Sequence, residues 1–271
     1  MKLVANFVEK PWGRCDLPDW AGCPAGLKAP IGELWFTAPD GAALPLLVKY
    51  LFTSERLSVQ VHPDDAQGRA RGLPGGKSEC WYIIDAAPGA TLGIGLRRAL
   101  DAQQLRAAAQ DGSIEREMMW HPVAPGDFFF IPAGTIHAVG AGIMLVEIQQ
   151  NVDVTYRLYD YGRARALHLD DGAAVSRAVP YDMGQAVRAL EGGVMEQSLV
   201  RCPIFTVLRA RDADSLRAQL GQQPVWIIPL AGMAMAGGDC ATVGECLYLD
   251  SPASLRLSPD AIILAAAQGS H

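Results

Sequence analysis

In the run Val59-Gln60-Val61-His62, two polar side chains alternate with two valines. Successive side chains of an extended segment point to opposite faces, so Gln60 and His62 share one face and the valines share the other. The neighbouring runs are apolar, which places both faces inside a packed structure. An amide and an imidazole are stable in such an interior only where their polar atoms find partners. The chain must therefore fold into sheets whose inside contains a polar site.

Strand-length runs surround this one: 32–38, 44–52, 57–62, 79–84 and 90–96, then 118–123, 127–132, 137–150 and 155–161. A last group falls at 202–210, 224–232, 244–250 and 254–258. The 28 glycines and 18 prolines supply the turns between them. Many short strands broken in this way predict a mainly β fold, a barrel or double-sheet jelly roll. Residues 99–109, ALDAQQLRAAA, form the clearest helix, with Gly112 just beyond. The 271 residues suffice for one large or two smaller domains. The pattern predicts a larger domain over 1–165 with an irregular N-terminal arm, a linker with short helices over 166–194, and a smaller β domain over 195–271.

A net charge of −6 argues against general binding to nucleic acid or to an anionic membrane surface. A small anionic substrate remains compatible if cations gather locally. Six cysteines without CxxC spacing predict free thiols in a reducing compartment. The opening MKLVANFVEKPWGR has no continuous apolar stretch, and the longest apolar run, 261–267, is too short to span a bilayer. A cytoplasmic protein is expected.

Downstream of His62, Glu79 opens the run ECWYII, and His137 ends GDFFFIPAGTIH. The latter carries Gly126, Pro132, Gly134 and His137 in G-x5-P-x-G-x2-H spacing, which resembles the second signature of the cupin superfamily of metal-holding jelly-roll barrels. Gln60-x-His62 with Glu79 fills the role of the first signature, with a longer connection. Two imidazoles, a carboxylate and an amide oxygen suit a borderline divalent ion such as Zn²⁺. His121 and His168 stand outside these motifs and are read as hydrogen-bonded structural residues. The C-terminal half has no histidine before His271, so no equivalent site is expected there.

SVQVHPDD, GKSECWYII, GDFFFIPAGTIHAVG and EIQQNVDVTYRLYDYGR together resemble type I mannose-6-phosphate isomerases in their short bacterial form. The likeness is dense from about Gly32 to Arg163 and weak after about residue 175, where that family has a degenerate second cupin. It implies one zinc ion per chain held by Gln60, His62, Glu79 and His137, with a catalytic arginine at Arg157. It also places Arg157 and Asp153 beside the metal. Lys77 precedes Glu79 by two, and Asp153 precedes Arg157 by four, so each pair shares a face if its strand is unbroken. Glu147, on the face of Gln149, is either a base near the substrate or part of a structural ion pair. The implied reaction interconverts mannose 6-phosphate and fructose 6-phosphate by proton transfer between C1 and C2 through an enediol. The implied partner is that sugar phosphate alone, and the chain is a monomer or homodimer.

Longer relatives carry a histidine before the lysine, where this chain has Gly76, and a helical domain for which there is no room here. Two other readings compete. A non-catalytic sugar-phosphate sensor would not need Lys77 and Arg157 beside four ligands. An Fe(II) dioxygenase would share two histidines and a carboxylate, but not Gln60 or cations suited to phosphate.

Overall fold

A computed structural model of the chain describes residues 1–23, 29–187 and 196–269. The chain forms two compact units, Met1–Lys10 with Cys15–Tyr50 and Ala189–His271, and Pro11–Arg14 with Leu51–Arg188.

The unit containing the motifs has two antiparallel sheet regions. In one, Ile143–Gln150, Glu79–Ala86, Phe128–Ile131 and Ala186–Val187 lie side by side in that order. In the other the order is Tyr156–Tyr159, Val59–Val61, His137–Val139, Thr91–Leu96 and Met118–Pro122. Val59, Val61, Ala138 and Leu158 pack against Leu105, Ala108 and Ala109 of the helix Ala102–Asp111 and against Ala173 and Val175. That helix starts at Ala102 rather than residue 99, because Asp101 accepts a hydrogen bond from the Gln104 N–H and Gln104 reciprocates in a capping box. On the opposite face, Leu92, Ile94 and Val139 join Trp81, Ile83, Phe129, Ile131 and Leu145 in one apolar core. Alternation thus sends the valines of VQVH toward the helices and leaves Gln60 on the other face.

The other unit is β-rich, as expected for residues 195–271. Its five-stranded sheet runs Glu196–Arg201, Phe205–Ala210, Ile262–Gln268, Val225–Ala231, Leu247–Leu249. A three-stranded sheet joins Asp239–Ala241, Ala234–Ala236 and Arg256–Leu257. Leu208, Ile227, Leu247 and Ile263 form a core with Leu216 and Leu220 of the helix Ala213–Leu220. Among the described residues, no helix is long and apolar enough to cross a membrane.

Candidate metal centre and active site

Register decides which side chains meet. Gln60 stands opposite both His137 and Arg157 on its two neighbouring strands, so all three belong to one face. Ile94, opposite His137, continues that face into the apolar core. In the other sheet region Glu79 is opposite Gln149 and Ile131, and Trp81 is opposite Glu147 and Phe129. The alternation of Glu79 and Trp81 with Cys80 thus directs the acid and the indole to the same face as Glu147 and Gln149.

Three potential ligands converge on this ground. His62, Glu79 and His137 are 2%, 1% and 1% exposed. One donor atom from each lies within 4.8 Å of the others. His62 Nε2 is 3.4 Å from Glu79 Oε2, and His137 Nε2 is 3.2 Å from Glu79 Oε1. Ligands bound at about 2.0–2.1 Å around a tetrahedral ion are roughly 3.3 Å apart. The cluster therefore has the donor chemistry and the spacing for such an ion.

Local chain geometry holds the donors in place. The His137 Nδ1–H donates to the Thr135 carbonyl at 2.9 Å; because a carbonyl only accepts, Nδ1 carries the proton and Nε2 presents its lone pair to Glu79. Burial, reinforced by the charge of Lys77, pushes the His137 pKa down to about 4, against the opposing effects of the Thr135 carbonyl and Glu147. The imidazole is therefore neutral near pH 7, the form that binds metal. The PAGT turn before it is tied to the segments of both other cluster residues: the Gly134 N–H donates to the His62 carbonyl at 2.8 Å and the Ala133 N–H to Ser78 Oγ at 3.1 Å. Gly134 has φ +86°, a conformation that side chains disfavour. The Trp81 ring meets His137 edge-on, with centroids 5.3 Å apart.

Gln60 reaches the same cluster with its amide nitrogen, Nε2 lying 3.2 Å from His137 Nε2, while Oε1, the atom that would bind a metal, accepts from Ser58 Oγ at 3.2 Å; ligation by Gln60 requires its amide to turn over. Lys77 is buried with Nζ 3.8 Å from Glu79 Oε2, although the strand begins only at Glu79. Glu147 is buried and accepts from Trp81 Nε1 at 3.1 Å. Arg157 lies in the strand Tyr156–Tyr159, with its Nη1 donating to the Ala166 carbonyl at 2.9 Å. Burial and the neighbouring Arg165 and Arg163 lower its pKa, opposed by Asp160. Asp153 is exposed, and because the strand starts at Tyr156 the condition for its sharing a face with Arg157 is not met.

An arginine pair that none of the sequence motifs marks lies beside Arg157. The buried Asp160 carboxylate accepts from Arg163 Nη2 at 2.8 Å and from Arg165 Nε at 2.6 Å. The run DYGRAR contains the signal, an acid followed by two arginines, but not the turn that folds it back. His121 and His168 bond to backbone, as expected: His121 with the Ile94 carbonyl, and His168 Nδ1 accepting from the Arg157 N–H.

No protein-family profile matches the chain. Mannose-6-phosphate isomerase of Streptococcus mutans is 37% identical over 216 residues, covering 75% of this chain and 68% of the relative. Mannose-6-phosphate isomerase ManA of Bacillus subtilis is 36% identical over 212 residues, covering 73% of this chain and 66% of the relative. The chain belongs to the mannose-6-phosphate isomerase family of enzymes. The crystal structure of the mannose 6-phosphate isomerase from Bacillus subtilis superposes with a TM-score of 0.75 over 98% of each chain at 24% identity. The fold is therefore the cupin fold of these isomerases, as the motifs imply, and the His62, Glu79 and His137 cluster is a possible metal site within it.

Proposed function

We propose that the chain interconverts mannose 6-phosphate and fructose 6-phosphate in the cytoplasm, using one Zn²⁺ held by His62, Glu79 and His137 with the Gln60 amide as a weaker fourth ligand. The observation that supports this best is the spacing of the three buried donors, 3.2 and 3.4 Å on either side of one carboxylate. A bound zinc ion supplies a fixed positive charge that polarises the sugar oxygens and stabilises the anion developing as the proton leaves carbon.

The chain's own groups perform the remaining tasks. The Lys77 ammonium, buried beside Glu79, offers the phosphate a compact cation in a water-poor setting. Arg157, on the face of Gln60 and His137, offers a planar two-point contact to the enediolate and stays charged while the proton moves. Glu147 is the buried carboxylate nearest in register to the ligand row, and its hydrogen bond from Trp81 fixes its direction. Asp153 belongs to the same reading only if the 151–155 segment folds inward around substrate, since it is exposed here.

Metal analysis with a coupled assay on mannose 6-phosphate tests this. About one zinc per chain and turnover that chelation abolishes are expected. Stoichiometric metal in a His62→Ala, His137→Ala double variant would place the site elsewhere. Tight substrate binding without turnover would make the chain a sensor.

A further inference from the structure

Lys77 lies outside any regular element, yet three successive backbone N–H groups around it are each held by a different partner. The Gly76 N–H donates to Asp65 Oδ1 at 2.7 Å. The Lys77 N–H donates to the Pro63 carbonyl at 2.9 Å. The Ser78 N–H donates to Gln150 Oε1 at 2.8 Å. The two side chains that hold the outer groups are themselves joined, because Gln150 Nε2 donates to the same Asp65 Oδ1 at 2.9 Å. The backbone N–H of Gln150 closes the ring by donating to the Ser78 carbonyl at 3.1 Å.

Close packing seats this clasp. A Cβ on Gly76 would lie 2.4 Å from the backbone carbon of Asp64, and one on Gly68 would lie 2.0 Å from the Gly75 carbonyl oxygen. Residues 75–77 therefore rest directly on the start of the helix Asp65–Arg69. A long lysine side chain has many rotamers, so the direction its ammonium takes depends on how firmly its backbone is held. Ser78 links the same segment to the turn before His137 through the Ala133 N–H.

We propose that Asp65 and Gln150 are positioning residues for Lys77: their joined side chains fix the Gly76–Ser78 backbone so that the ammonium meets the phosphate of the substrate. The proposal rests on the role given to Lys77 above. Asp65 and Gln150 act on Lys77 through the backbone groups that flank it. Asp65→Asn keeps an acceptor oxygen for Gly76 and Gln150, whereas Asp65→Ala removes it.

A double-mutant cycle with Lys77 tests the assignment. Gln150→Ala and Asp65→Ala should each raise KM about fivefold or more, with kcat and zinc content nearly unchanged. Asp65→Asn should restore most of the loss. In a Lys77→Ala background the same substitutions should change KM less than about twofold, because the group they aim is gone. Amide exchange in a peptide covering 76–78 should also quicken in Gln150→Ala, about tenfold. If Lys77→Ala is impaired but the Gln150 effect persists undiminished in its background, the positioning role is overturned and the function of Lys77 stands. If Lys77→Ala itself leaves KM and kcat unchanged, the reading of Lys77 fails and the positioning role with it.

Discussion

Arg157 and Gln60 stand directly opposite each other on neighbouring antiparallel strands, and Gln60 is also opposite His137. An arginine that binds no metal is thereby set in the same transverse row as two proposed ligands. Row membership separates two kinds of failure: losing a ligand should empty the site, whereas losing the arginine should leave it full.

Arg157→Lys accordingly should lower kcat by about two orders of magnitude or more, the scale seen when an oxyanion donor is lost. KM should move much less, since the contact strengthens mainly in the transition state. Zinc content should stay at the wild-type level. Steady-state kinetics with parallel metal analysis reads all three, and near-normal kcat would remove the catalytic role of Arg157.

His62→Ala or His137→Ala should lose most of the bound zinc, because the two strong donors remaining cannot close the inner shell. The metal-loaded wild type should melt higher than the chelated protein, and readdition of zinc should restore the midpoint. Equal melting of chelated and loaded protein would show that the cluster does not hold the ion.

Gly76→Ala should destabilise the fold by about 2 kcal/mol or more through overpacking against the Asp64 backbone. Gly76→His should do at least as much harm. Urea unfolding midpoints measure both, and a tolerated histidine would mean that residues 75–77 do not rest on the helix start.

Acid should destabilise the metal-free protein through His137. Its folded pKa of about 4 lies below the ordinary 6.5, so between these values the unfolded chain binds a proton that the folded chain refuses. This contribution is fully present above pH 6.5, is lost as pH falls toward 4, and is flat below, an overall loss on the order of 3 kcal/mol. Urea titrations of chelated wild type and His137→Gln across that window provide the check; the variant should show a shallower fall. Parallel curves would contradict the depressed pKa.

The inward placement of Gln60 and His62 was legible in four letters, because side-chain alternation follows from backbone geometry within one strand. The spacing of Gly126, Pro132, Gly134 and His137 likewise marked the turn and the histidine it brings to the cluster. The mainly β fold followed from strand-length runs and their breakers. What faces these residues depended on register between distant strands, which no local pattern encodes. Glu79 meets Gln149, and Asp65 meets Gln150 across 85 positions of sequence. Alternation puts Lys77 on the face of Glu79 only where the strand begins that early; the strand begins at Glu79, and Lys77 reaches that carboxylate from a loop held by backbone hydrogen bonds. Asp153 was placed with Arg157 by the same rule, but its segment is not strand. Period two is a property of a strand wherever it lies. Which strands lie together, and where each begins, is settled only when the sheets pair and the core between them closes.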